Sequence, residues 1–168
     1  INTQNDSALI FSEKAFNLSK EKKYYLGQAI ALETKGLYHE IVDGNYEKAS
    51  KYYFEGISIC EEHQLPYSAS IYHSLGVMFH TTDSYENALK YYTIAYDLAK
   101  KNKDLELQKK CLINLGSVNS SLENFEKAKQ YMLESLEIDV RNELDYSTYA
   151  NLGNLFIKQE NFAEAMPY

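Results

Sequence analysis

Apolar and small residues recur along this chain at spacings of three and four. Ala88, Tyr92 and Ala95 do so, as do Tyr72, Leu75, Gly76 and Phe79, and again Leu112, Leu115 and Gly116. That spacing gathers them on one face of an α-helix, whereas a half-buried strand would alternate every second residue. The pattern predicts helices over about residues 4–20, 23–42, 46–63, 67–81, 85–101, 105–121, 125–141 and 145–159, with a stub after 161. At the joints, Ser84 and Asn124 are placed to accept amide hydrogen bonds from a first helical turn. Pro66 suits such a turn because its missing N–H would be unpaired there.

The chain also repeats itself. Tyr72-x-x-Leu75-Gly76-x-x-Phe79 returns as Leu112-x-x-Leu115-Gly116-x-x-Asn119 and as Tyr149-x-x-Leu152-Gly153-x-x-Phe156, with a weaker copy at Leu32-x-x-Lys35-Gly36-x-x-His39. Each glycine is followed by an alanine after an Asn- or Ser-aromatic pair: Ala49, Ala88, Ala128 and Ala165. The offset is 13 residues in the first copy, where one residue is inserted near Asp43-Gly44, and 12 in the others. Successive glycines lie 40, 40 and 37 residues apart. Self-similarity at such a period is the mark of stacked helical hairpins.

Ala8-x-x-x-Ser12-x-x-Ala15 followed by Asn17-Leu18-Ser19-Lys20 parallels Ala88-x-x-x-Tyr92-x-x-Ala95 followed by Asp97-Leu98-Ala99-Lys100. The chain is therefore expected to open in the second helix of an incomplete repeat. The expected division is 1–22, 23–64, 65–103, 104–143 and 144–168, one array cut at both ends. It opens on Ile1 rather than a methionine, which suggests that an upstream segment has been removed. On that expectation the first and last helices lack their partners.

These motifs resemble the tetratricopeptide repeat family, in a variant with repeats of about 40 residues. The family pattern is aromatic-x-x-Leu-Gly-x-x-aromatic on one helix and Ala-x-x-x-aromatic-x-x-Ala on the next. The resemblance implies an all-α, right-handed solenoid of antiparallel helix hairpins. Its glycine and first alanine let paired helices approach closely, and its concave wall is lined by first helices. Lys35, His39, Asn119, Gly56 and Ser135 depart from the pattern, which suggests looser packing in the first copy and beside the third.

On that likeness the inward-facing residues are Glu33, Leu37 and Glu40 in the first copy and His73, Val77 and His80 in the second. The third contributes Lys110, Ile113, Asn114 and Ser117, and the last Ser147, Asn151, Asn154 and Lys158. The wall changes from acidic and imidazole-bearing to rich in amide, hydroxyl and ammonium groups. Asn114 and Asn151 both precede Leu-Gly, where peptide-binding members of the family carry an asparagine. A side-chain amide donates and accepts at once, which suits a peptide unit.

Composition narrows the function. Seventeen Lys and Arg against 24 Asp and Glu give a formal charge of −7, which disfavours sequence-independent binding to nucleic acid or anionic lipid. The 16 tyrosines, without a tryptophan, fit one aromatic slot reused by every repeat. No stretch has the ~20 apolar residues of a membrane helix. Cys60 and His63 form a Cys-x-x-His pair but lack two further zinc ligands, and His73 and His80 stand roughly 10 Å apart along a helix, too far to share one metal. No phosphate loop, nucleophile motif or metalloprotease spacing is present. The expectation is a non-enzymatic module without cofactor or metal, which binds a protein or an extended peptide as a scaffold or adaptor. The alternative is a sensor domain of a larger bacterial signalling or regulatory protein.

Overall fold

The computed structural model describes residues 3–140 and 144–168. Among these the elements are α1 (Thr3–Glu21), α2 (Tyr25–Ile41), α3 (Tyr46–Glu62), α4 (Ser68–Thr81), α5 (Tyr85–Asn102), α6 (Leu105–Ser121), α7 (Phe125–Glu137), α8 (Leu144–Lys158) and α9 (Phe162–Ala165), with no strand among the described residues. They fall into two compact units, Ile1–Met78 and Phe79–Tyr168.

The joints between helices share one construction. Lys23, Gln64, Asp83, Lys103, Glu123 and Glu160 all take positive φ, as does Gly44. One left-handed residue turns the chain out of the helix and lets the next amide close back on the last turn. Tyr24, Leu65, Ser84, Asp104, Asn124 and Asn161 each donate to the carbonyl five residues earlier, at 2.8–2.9 Å. In the first hairpin Asn45 N–H reaches His39 O, six residues back, at 2.8 Å. The inserted residue is absorbed there, at Gly44.

Helix starts depart in part from expectation. Asn45, Asp104 and Asn161 accept from Lys48, Leu107 and Glu164 N–H. Ser84 and Asn124 make no such bond. The Ser84 hydroxyl instead accepts from Asn87 Nδ2 at 3.0 Å. Pro66 lies just before α4, and its carbonyl accepts from Ala69 N–H.

In the first unit α2 packs between α1 and α3. Ala29, Leu32, Ala49, Tyr53, Ile57, Cys60 and Ile71 are buried. A Cβ on Gly36 would stand 2.5 Å from Tyr53 Cε1, so only glycine admits that ring. Gln28 Nε2 donates to Ser19 O at 3.5 Å, as Gln108 Nε2 in the second unit donates to Ala99 O at 3.3 Å. One such bond thus joins α1 to α2 and another joins α5 to α6.

Lys35 and His39 are packed tightly rather than loosely. Lys35 Nζ stands 5.0 Å from the Phe16 ring centre and 5.7 Å from that of Tyr52, so its charge faces π-surfaces while its stem is buried. His39 stacks on Tyr52 with centroids 5.4 Å apart, and its Nδ1 lies 2.6 Å from Asp43 Oδ2. Polar residues at two framework positions are thus partnered locally.

In the second unit Ala128, Met132, Leu152 and Leu155 form a buried cluster edged by Phe125 and Leu136. A Cβ on Gly116 would lie 2.8 Å from Met132 Cγ and 3.2 Å from Ala128 O. α7 stops at Glu137, short of the expected 141, because Ile138 turns extended at φ −81°, ψ 108°. The Ile138 carbonyl accepts from buried Lys109 Nζ at 2.9 Å. Residues 141–143, where the longer helix would end, lie outside the described residues. The last first-type helix, α8, was expected to be bare on one side. Instead Tyr168 stacks near Phe156 and Tyr149, at 5.7 and 6.2 Å, and covers part of that face.

Candidate functional site

A recess of about 290 Å³ opens in the second unit between α6 and α8. Its floor includes Met132 of α7, and Ile157 supplies a second apolar wall. Ser117, Ser120 and Ser121 line it from α6, and Asn151, Asn154 and Lys158 from α8. The α6 residues fall at intervals of three and four, and so do the α8 residues, so each set occupies one helical face. Among the described residues the lining carries no carboxylate.

Four residues singled out from the sequence meet here: Ser117, Asn151, Asn154 and Lys158. Asn151 is half-buried, whereas Asn154 and Lys158 are exposed. Sequence reading missed Ser120, Ser121, Ile157 and Met132. Met132 occupies the second-helix position that Tyr53 and Tyr92 fill in the other copies. A flexible thioether in place of a rigid ring was the available signal of an adaptable floor.

The remaining candidates are placed differently. Lys110 is half-exposed and pairs with Glu106 at 2.6 Å. That hydrogen bond and charge hold the Glu106 carboxyl below the usual range. Ile113 is buried, Asn114 half-buried and Ser147 exposed. His73 and Val77 are half-buried on α4. His80 lies edge-on to Tyr85 and Tyr92, at 5.9 and 6.5 Å, and burial holds its imidazole below its ordinary pKa.

In the first unit Leu37 is exposed, whereas Glu33 and Glu40 are buried. The Glu33 carboxylate accepts from Tyr67 Oη, from Ser74 Oγ at 2.7 Å and from Ser70 Oγ at 3.4 Å. Glu40 accepts from Tyr53 Oη at 2.6 Å. Burial raises the Glu40 carboxyl pKa, and the Tyr53 bond offsets this in part. Both carboxylates act inside the fold, joining α2 to the residues that follow it.

The cysteines are buried and free. Burial pushes the Cys60 thiol up to about 11 and the Cys111 thiol up to about 12, so both stay protonated at neutral pH. His63 stacks on Tyr25, with centroids 3.4 Å apart. Among the described residues no three His, Cys, Asp or Glu side chains are grouped to hold a metal ion, and no helix is long and apolar enough to cross a membrane.

Comparison with known proteins finds a family likeness for part of the chain and a fold likeness for most of it. Residues 67–139 match the family model of the tetratricopeptide repeat. Among solved structures, BtubC (BKLC) from P. vanneervenii is similar over 96% of this chain and 69% of its own, at 19% identity and a TM-score of 0.81. A putative kinesin light chain from Podospora anserina, described as having nearly identical TPR-like repeats, is similar over 99% of this chain and 84% of its own, at 12% identity and a TM-score of 0.71. Comparison with curated protein sequences gave no match. At these identities the structural likeness establishes the fold. Residues 67–139 thus match tetratricopeptide repeats, and the described residues form all-α helix hairpins of the same fold. Such repeats generally serve as protein-interaction scaffolds and are typically non-catalytic.

Proposed function

We propose that this chain is a peptide-binding scaffold, and that an extended segment of a partner protein lies across α6 and α8. The observation that carries this reading is the recess itself. Ser117, Asn151, Asn154 and Lys158 converge on it, and their side chains make no hydrogen bond or ion pair with another described residue. Amides can meet the N–H and C=O of a peptide unit together, while Met132 and Ile157 receive an apolar side chain.

The division into repeats 23–64, 65–103 and 104–143, with partial repeats 1–22 and 144–168 at the ends, belongs to the same proposal. A sensor role in a larger regulatory protein would use the same recess and add an output domain.

The test is to recover a partner with the full-length protein. Its minimal segment is then titrated against parent, Asn154→Ala and Asn151→Ala, both in the lining. Loss of an amide that pairs a buried peptide group should weaken binding by about 1–3 kcal/mol. Equal affinity for all three, with helicity kept, would remove the asparagines from the mechanism.

A further inference from the structure

α1 carries the same ridge of small residues as the other second-type helices, but bare. In α3 the ridge is Ala49, Tyr53 and Gly56, and in α7 it is Ala128, Met132 and Ser135, all of them buried. A first-type helix lies over each, and its glycine meets the central residue. A Cβ on Gly36 would stand 2.5 Å from Tyr53, and one on Gly116 2.8 Å from Met132. In α1 the matching residues are Ala8, Ser12 and Ala15, and both alanines are exposed. With Gly27 and Ala31 of α2 they floor a groove of about 480 Å³. Phe11, 66% exposed, and Ile30, 39% exposed, form its walls.

The groove is shaped for a helix. Ala8, Phe11, Ala15 and Leu18 recur at steps of three and four along α1, and Ile30, Thr34, Leu37 and Ile41 do so along α2. Each stripe runs about three turns, or roughly 15 Å. Large apolar side chains on the walls and small ones on the floor seat the apolar face of an amphipathic helix. Ser12 asks for no polar partner, because its Oγ already donates to Leu9 O at 2.8 Å.

We propose that this groove receives an amphipathic helix of another protein, which brings a large apolar side chain, Leu, Met or Phe, to the position over Ser12. The chain's own first-type helices bring a glycine there, matched by the bulk of Tyr53 or Met132. Over Ser12 a glycine would leave the slot unfilled and forfeit its contacts. The size relation is inverted, with the small residue in the floor and the large one in the guest. That inversion favours a foreign helix over the glycine-bearing helices of this chain or of a second copy. The groove belongs to the first unit and the recess to the second, so this inference and the peptide-site reading are tested separately.

The probe is a displayed library of amphipathic helical peptides, about five turns long, with every position of the apolar stripe varied. It is selected against the 168-residue chain. Selected peptides are titrated by fluorescence polarisation against that chain, the full-length protein, Phe11→Asp, Ser12→Tyr and Asn151→Ala, with helicity followed by circular dichroism. The expected result is Leu, Met or Phe at one stripe position, and about tenfold or greater weakening by Phe11→Asp at unchanged melting temperature. Selection repeated on Ser12→Tyr should switch that position to Gly or Ala, and Asn151→Ala should bind as the parent does.

Glycine at that position in peptides selected on the parent, or indifference to Ser12→Tyr, would overturn the inference. So would failure to select any helix sensitive to Phe11→Asp. Self-association in sedimentation velocity, abolished by Phe11→Asp, would assign the groove to a second copy instead. Helices that bind the 168-residue chain but not the full-length protein would assign it to a segment of the same polypeptide.

Discussion

Lys109 Nζ lies 2.5 Å from Asp145 Oδ1, and with this contact and its bond to the Ile138 carbonyl one buried ammonium ties α6 to both sides of the α7–α8 connection. Lys109 is 1% exposed, so its charge is held almost entirely by these two oxygens. Replacing it with Met keeps the volume but leaves the carbonyl and the half-exposed carboxylate without their donor. Lys109→Met should cost about 1–3 kcal/mol in urea unfolding, less than a fully buried pair because Asp145 retains water. Asp145→Asn should cost less, since the carbonyl bond survives.

The hairpin glycines make a graded series. Gly36→Ala puts a methyl 2.5 Å from the fully buried Tyr53 ring and should destabilise by about 1–3 kcal/mol. At Gly116 the new methyl meets flexible Met132 and the Ala128 carbonyl, and a loss near 1 kcal/mol is expected. Gly153 has 3.5 Å to Tyr168 Cβ and room for a methyl. Gly153→Ala should therefore gain about 0.5–1 kcal/mol of helix propensity. Thermal or urea midpoints in any other order would mean that the close approaches are misplaced.

Glu40 gives a pH prediction. Its folded pKa is raised above the ordinary 4.5, chiefly by burial, so ionisation favours the unfolded chain. The stability it contributes is present below the ordinary carboxyl range and lost as pH rises through the folded value. Glu40→Gln keeps an acceptor for Tyr53 Oη and never ionises. The variant should be more stable than the parent at pH 7, and the gap should close as the pH falls below about 4.5. A constant gap across that range would show that Glu40 is not the titrating group.

His80 titrates with the opposite consequence. Burial lowers its folded pKa below 6.5, so its stabilising contribution is present above that value and fades as the pH falls through the folded one. His80→Gln should lessen the loss of stability between pH 7 and 5. An unfolding series at half-unit steps would reveal it.

Several features were legible in the sequence because local rules produce them. The one-residue insertion near Asp43-Gly44 appears as a six-residue closing bond at Asn45 in place of five. Gly36 and Gly116 stand where paired helices press together, and the motif alone marked them. Contacts between distant positions were not legible. Glu33 was read as lining a groove, but the hydroxyls it accepts from come 34 to 41 residues later, and no local pattern announces them. Lys109, beside surface Lys110, reads as one more solvated charge until α7 and α8 close over it. Met132 sits where other copies carry Tyr53 and Tyr92, and the recess it borders is lined by α6 and α8 residues that no local pattern joins.

The central claim is that α6 and α8 hold the partner through the recess above Met132. At 19.4 kDa the chain suits nuclear magnetic resonance, and the direct measurement is a map of backbone and side-chain amide shifts during titration with the partner's minimal segment. The largest changes should fall on Ser117, Asn151, Asn154 and Lys158, with the Asn151 and Asn154 side-chain amides among them, while Glu126 and Tyr91 stay still. Shifts that leave those amides unmoved and gather instead on α1 or on the outer face of α5 would contradict the claim.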